Sequence, residues 1–178
     1  MAKEAFLGFI IRVIASIKGT LIRFLEKRKK MELLKQIKEH EGFKSRVYKC
    51  TEGYDTIGYG FAIKDLEMDE DIADLILMRK LDKLQQRIMT NLEWWADSPA
   101  EIKDVVTNMC YQLGLSGFLK FKKTIYLLET EQYEDASLEM LNSLWAKQTT
   151  ARALELSEAV RFVGLEKEEN KTRSTNGK

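Results

Sequence analysis

Beyond residue 60 this chain shows no β-type alternation, and Pro99 is its one proline. Apolar residues recur instead every three to four positions, the mark of helices with one buried stripe. Strand chemistry is confined to residues 47–60, so the pattern predicts an α+β fold that is predominantly α. Residues 69–91 read as an acidic-started helix with Leu77, Leu81, Leu84 and Ile88 on one face. Ser98-Pro99 signals a helix start with Pro at the first position. In the helix that follows, Ile102, Val105, Val106, Met109, Cys110 and Leu113 form a stripe that predicts a buried core. Further helices are expected at 121–129, 131–141 and 150–162. Residues 165–178 lack apolar pattern and are expected to fray or be disordered. No internal repeat is visible.

At 178 residues, 44% apolar and 32% charged, the chain suits one domain with an appendage and can bury a real core. Two cysteines and one histidine exclude a disulfide scaffold and a Cys/His structural zinc site. Cys110 falls on the helical stripe and is expected to be buried, His40 to be solvated, and Trp94 and Trp95 to pack in the core or an interface, with ligand contact as the alternative. No Walker-type phosphate loop is present, and no metal or cofactor is expected. The net charge of +1 hides two unlike parts. Residues 1–30 carry Lys3, Arg12, Lys18, Arg23, Lys27, Arg28, Lys29 and Lys30 against Glu4 and Glu26, a net of +6. The remaining residues carry 21 basic and 26 acidic side chains, a net of −5. A basic arm (1–30) thus precedes a mildly acidic body (31–164) and a polar tail (165–178).

Residues 5–25 of the arm are apolar enough to suggest a membrane span. Arg12, Lys18 and Arg23 interrupt them, and each costs roughly 2.5–3.5 kcal/mol at the centre of a membrane helix. At about 100° per residue, Phe6, Ile10, Val13, Ile14, Ile17, Leu21 and Phe24 fall on one side, and Glu4, Gly8, Arg12, Gly19, Arg23 and Glu26 on the other. An amphipathic helix results, and three uses of it stay open. It packs on the body or on a second copy, it lies on a membrane surface through residues 1–30, or it serves as an export signal or anchor. No small-x-small cleavage site follows the apolar run, and the basic cluster at 27–30 would hold the body in the cytoplasm.

From residue 31 the pattern changes. Met31, Leu33, Leu34 and Ile37 have helical spacing, and Gly42 is a helix breaker. Val47 and Tyr48 begin a strand, Thr51-Glu52-Gly53 supplies a turn, and residues 54–60 return as a second strand. Glu41 therefore stands at a helix–hairpin junction. A carboxyl at a helix C-terminus faces the negative end of the dipole, which resists ionisation, and partial burial would add to that effect. A general acid for glycosidic cleavage needs such a proton-holding carboxyl, across from a group that handles water or developing positive charge. Cys50 and Thr56 occupy the two arms of the hairpin. On spacing alone, an ordinary solvated glutamate fits Glu41 as well.

The wording of the segment narrows the choice. HEGFKSRVYKCTEGYDTIGYG, residues 40–60, resembles the core motif of the phage-type lysozymes, glycoside hydrolase family 24, the group that includes the T-even phage enzyme. NMCYQLG at 108–114 resembles that family's central-helix motif. Phe118 and Phe121 fall in the segment that follows, and Trp145, Gln148, Thr149 and Arg152 fit a later W-x-x-Q-T-x-x-R pattern. The resemblance spans roughly residues 32–162 and leaves out the arm and the tail. It implies a lysozyme-like fold, with a small β-hairpin lobe and a helical lobe around a central helix, preceded here by the N-terminal amphipathic helix.

It also implies peptidoglycan as substrate and hydrolysis of the β-1,4 bond between N-acetylmuramic acid and N-acetylglucosamine. Glu41 matches the general acid and Thr56 the threonine that holds the attacking water. Cys50 matches a third catalytic position that is Asp in many members and Cys in some. A neutral thiol orients water less well than a carboxylate, whereas a thiolate would serve. Either the site works with Cys50, or it is impaired and the protein is a membrane-docked peptidoglycan binder. Tyr111, Gln112 and Thr124 match cleft-lining positions, and Phe61 stands where many relatives have His. The expected setting is a monomeric bacteriolytic endolysin, without nucleic-acid partners. It would be made in the host cytoplasm and act at the cell wall after release through a membrane lesion.

Overall fold

The computed structural model describes residues 2–176, with side chains for Ile14 and residues 16–173. The chain divides into two compact units, Met1–Met68 and Asp69–Lys178.

The first unit is a long helix followed by a small sheet. Helix α1 spans Ala2–Glu41 without a break, so the expected boundary at residue 30 is not marked in the backbone. Phe6, Ile10 and Val13 of the expected apolar face lie outside the described side chains. Gly42 ends the helix: at φ +65 it turns the chain left-handed, and its N–H donates to the Lys38 carbonyl at 3.1 Å. The strands are β1 (Lys44–Lys49), β2 (Asp55–Gly58) and β3 (Phe61–Ala62), antiparallel in the order β1-β2-β3. Tyr48 pairs with Thr56, Lys49 with Asp55, and Thr56 with Ala62, with a register shift between Lys44 and Tyr48. The expected hairpin is thus the larger part of a three-stranded sheet. The third strand is two residues long, too short to show an alternation in sequence. Among the described residues no helix is long and apolar enough to cross a membrane.

The second unit is helical. It comprises α2 (Glu70–Asn91), α3 (Ala100–Leu113), α4 (Leu115–Phe118), α5 (Lys122–Glu129), α6 (Tyr133–Leu141), α7 (Leu144–Gln148) and α8 (Thr150–Asn176). Pro99 caps α3 rather than opening it. Helix α3 is the central one, with Ile102, Val105, Val106, Met109 and Cys110 all buried and Leu113 packed at the edge. Around it close Ile88 of α2, Phe118, Leu128, Met140, Trp145 and Val160. Trp95 joins this core and its indole N–H donates to the Lys103 carbonyl at 3.4 Å, while Trp94 packs against it. Only the C-terminal part of the α2 stripe is covered in this unit, since Leu77 is exposed and Ile88 is not.

Helix α8 corrects the expectation of an unstructured tail, because it continues through Asn176. Gly164 lets it pass close to α6, where a Cβ would stand 3.3 Å from the Tyr133 Cβ. Lys167 pairs with Glu131 and lies over the Tyr133 ring. Glu169 and Arg173 form an i,i+4 pair at 3.6 Å, and Glu and Lys are strong helix formers that need no apolar stripe to extend a helix already nucleated.

Candidate functional site

Glu41, Cys50, Thr56 and Phe61 belong to the first unit, whereas Tyr111, Gln112 and Thr124 belong to the second. Within the first unit, two backbone devices shape the surroundings of Glu41 and of the Cys50–Thr56 pair.

The first device is Gly60. Its φ of +81 turns the chain from β2 into β3, and a Cβ there would stand 3.1 Å from Glu41 Oε2. The Glu41 carboxylate therefore lies beside the bare backbone of Gly60 in the β2–β3 turn. The Gly-x-Gly motif reads in sequence as part of a strand, and its role as a seat for the carboxylate emerges only from the fold. Glu41 itself is exposed, so the partial burial expected for it is absent: the helix ends on Gly42 at the surface of the lobe. Gly58 plays a different part. At φ +71 it leaves room for the Phe61 ring, which a Cβ would meet at 2.8 Å. Phe61 is half exposed and makes an edge contact with Tyr59 at 6.4 Å, which in turn lies 5.2 Å from Phe43.

The second device is the β1–β2 turn. Cys50 donates its N–H to the Tyr54 carbonyl at 3.0 Å, and the Gly53 N–H donates to the Cys50 carbonyl at 2.9 Å. Gly53 supplies the positive φ of +84 that closes the turn, and Lys49 Nζ meets Asp55 Oδ1 at 3.0 Å across the strands. This winding points the backbone N–H groups of Glu52 and Tyr54 at the Cys50 sulfur and sets the Thr56 hydroxyl beside it. Desolvation pushes the thiol up, and the Glu52 carboxylate pushes the same way. The two amides and the hydroxyl outweigh them and hold Cys50 below the ordinary thiol range. Thr56 is buried, and its one hydroxyl proton reaches either the sulfur or the Tyr54 carbonyl at 3.1 Å. Cys50 and Thr56 thus form one hydrogen-bonded unit in which the thiol is lowered from its ordinary value.

In the second unit Tyr111 is exposed on α3. Gln112 is exposed too, and its Oε1 accepts the Trp145 indole N–H at 2.9 Å, so the tryptophan of the later motif fixes the amide of the earlier one. Phe121 bridges the same cluster, 6.2 Å from both Phe118 and Trp145. Thr124 is 2% exposed and lines a pocket together with Phe121, Glu139 and Ser143. Cys110 is also buried and free, with desolvation pushing its thiol to about 12 against a weak counter-pull from Arg87. Among the described residues no cluster of His, Cys, Asp and Glu is arranged to hold a metal ion.

The chain matches the phage lysozyme family model over residues 38–159. It is 30% identical over 149 residues to Probable T4-type lysozyme 1 of Dictyostelium discoideum, covering 66% of this chain and 86% of that protein. Probable T4-type lysozyme 2 of the same organism is 28% identical over 146 residues, with the same coverage. The pre-baseplate central spike protein Gp5 of Enterobacteria phage T4 is 25% identical over 152 residues, covering 69% of this chain and 26% of that protein. The matched span includes the junction, the sheet and the central helix but leaves out most of α1. The chain belongs to the phage lysozyme family and is a glycosidase of the muramidase-like, peptidoglycan-hydrolysing kind.

Proposed function

We propose that the protein is a bacteriolytic endolysin in which Glu41, Cys50 and Thr56 carry out the cleavage. The observation that carries this reading is the Cys50–Thr56 pair, held as a thiol below its ordinary range on the same small lobe as Glu41. Glu41 protonates the oxygen that leaves the anomeric carbon of N-acetylmuramic acid. A water held by the Thr56 oxygen attacks that carbon, and the Cys50 thiolate takes up the proton the water releases. Tyr111 and Gln112 are the side chains of the helical unit that remain exposed to meet sugar, and Phe61 offers a ring face where many relatives have an imidazole.

Clearing of outer-membrane-permeabilised Gram-negative cells tests the assignment. Glu41→Gln should abolish clearing, Cys50→Ser should lower it steeply, and Cys50→Asp should restore it. Clearing by Glu41→Gln at the wild-type rate overturns the assignment. Equal rates for Cys50→Ser and wild type remove the thiolate from the mechanism.

A further inference from the structure

Helix α1 carries two apolar faces that do not coincide. Ile14, Ile17, Leu21, Ile22, Phe24 and Leu25 gather within less than half a turn at about 100° per residue. Of the apolar residues nearer the junction, Met31 falls at the edge of the same arc, whereas Leu33, Leu34 and Ile37 centre roughly 150° away from it. A single face serving one packing partner along the whole helix would stay in register, so the arm's face is directed elsewhere. All six of its side chains are exposed, Ile17 at 62% and Phe24 at 61%. Phe6, Ile10 and Val13 extend the same arc in the sequence.

The charge around this face identifies its partner. The run Lys27, Arg28, Lys29, Lys30 follows directly on the last apolar residue, Leu25, and the segment 1–30 carries a net +6. Lys18 lies inside the apolar arc, where its long stem lets the ammonium rise to a polar boundary while the methylenes stay in apolar surroundings. Two copies packed in parallel would bring the 27–30 clusters together and repel. An anionic bilayer surface instead takes the apolar arc into its acyl boundary and the cations against its headgroups.

We infer that the N-terminal arm of α1 is a surface-lying membrane anchor that docks the enzyme on anionic phospholipid through Ile14–Leu25 and the Lys27–Lys30 cluster. The anchor lies in the plane of the interface and does not span. It concentrates a wall-degrading enzyme beside the membrane that faces its substrate, and it acts independently of the catalytic residues.

Co-flotation of the full chain with phosphatidylcholine vesicles, with and without about 30% phosphatidylglycerol, tests it. The full chain should float with the anionic vesicles and bind neutral ones at least about tenfold more weakly. Ile17→Glu combined with Phe24→Glu should abolish flotation. Replacing Lys27, Arg28, Lys29 and Lys30 by Gln should lower it about tenfold or more and weaken its salt dependence. Clearing of permeabilised cells by these variants, at the wild-type rate, shows that the catalytic body is folded. Flotation of Ile17→Glu/Phe24→Glu at the wild-type level overturns the inference, as does equal binding to neutral and anionic vesicles. A vesicle-free dimer in light scattering that the same pair dissolves would assign the face to a second copy and overturn it as well.

Discussion

Replacing Gly60 by alanine tests the contact beside Glu41, the proposed general acid. Gly60 has φ +81, and an added Cβ would stand 3.1 Å from Glu41 Oε2. Two costs follow. Holding a residue with a Cβ in the left-handed region costs roughly 1–2 kcal/mol, which lowers Tm by about 2–8 °C in a chain of this size. The methyl also forces the carboxylate outward by a few tenths of an ångström or into another rotamer. Misplacing a reacting group by about 1 Å can cost 10²-fold in rate, so kcat should fall about 10- to 100-fold with KM little changed. Gly53→Ala separates the two costs, because Gly53 has a similar φ of +84 and nothing within 4 Å of its Cβ position. Thermal melts and initial rates on soluble peptidoglycan fragments give both readouts. Matching stability losses with a rate loss in Gly60→Ala alone fits the geometry. Equal rates for the two variants would refute the idea that Gly60 seats the acid.

Other outcomes follow from the same contacts. With Cys50 as the proposed proton acceptor, activity should fall as the pH drops through its titration; in Cys50→Asp that acidic limb should move down toward the carboxylate range. With Cys110 held near 12, only about 10⁻⁵ of it is thiolate at pH 7, so iodoacetamide should modify Cys50 alone in the native protein, in step with loss of clearing. Thr56→Val removes a donor to the sulfur, and the pH profile of Cys50 alkylation should shift upward; an unchanged profile would remove Thr56 from the stabilisation of the thiolate. Phe118 is fully buried, so Phe118→Ala should cost about 3–5 kcal/mol in denaturant melts, whereas Phe24→Ala on the exposed arm should stay within about 0.5 kcal/mol.

Much of the helical unit was legible because its stripe is local. Ile102, Val105, Val106, Met109 and Cys110 mark one face within a few turns, and burial follows from that periodicity alone. The end of α1 was legible for the same reason, since Gly42 is both the breaker in the sequence and the left-handed cap in the structure. What escaped the sequence depends on partners far along the chain. Phe61–Ala62 becomes a strand only because β2 is there to pair with it. Thr124 looks like any exposed helix-start polar residue until α5 packs. The tail is helical through contacts with Glu131 and Tyr133 that no local pattern announces.

The exchange of a carboxylate for a thiol at position 50 also changes what the turn must do. A solvated aspartate is charged at neutral pH, but a free cysteine is mostly neutral there. In the proposed mechanism the amides of Glu52 and Tyr54 and the hydroxyl of Thr56 therefore take part, because they lower the Cys50 thiol from its ordinary value. On that reading the conformation of Thr51-Glu52-Gly53-Tyr54 serves the chemistry as well as the fold. Gly53 winds the turn so that its two amides converge on one atom, and Thr56 on the middle strand is fixed beside that atom by pairing with Tyr48 and Ala62. The short third strand thus matters beyond its two residues. It pairs with β2 on the side away from β1 and follows directly on the turn that carries Gly60, so the Cys50–Thr56 pair and the Gly60 turn beside Glu41 belong to one sheet.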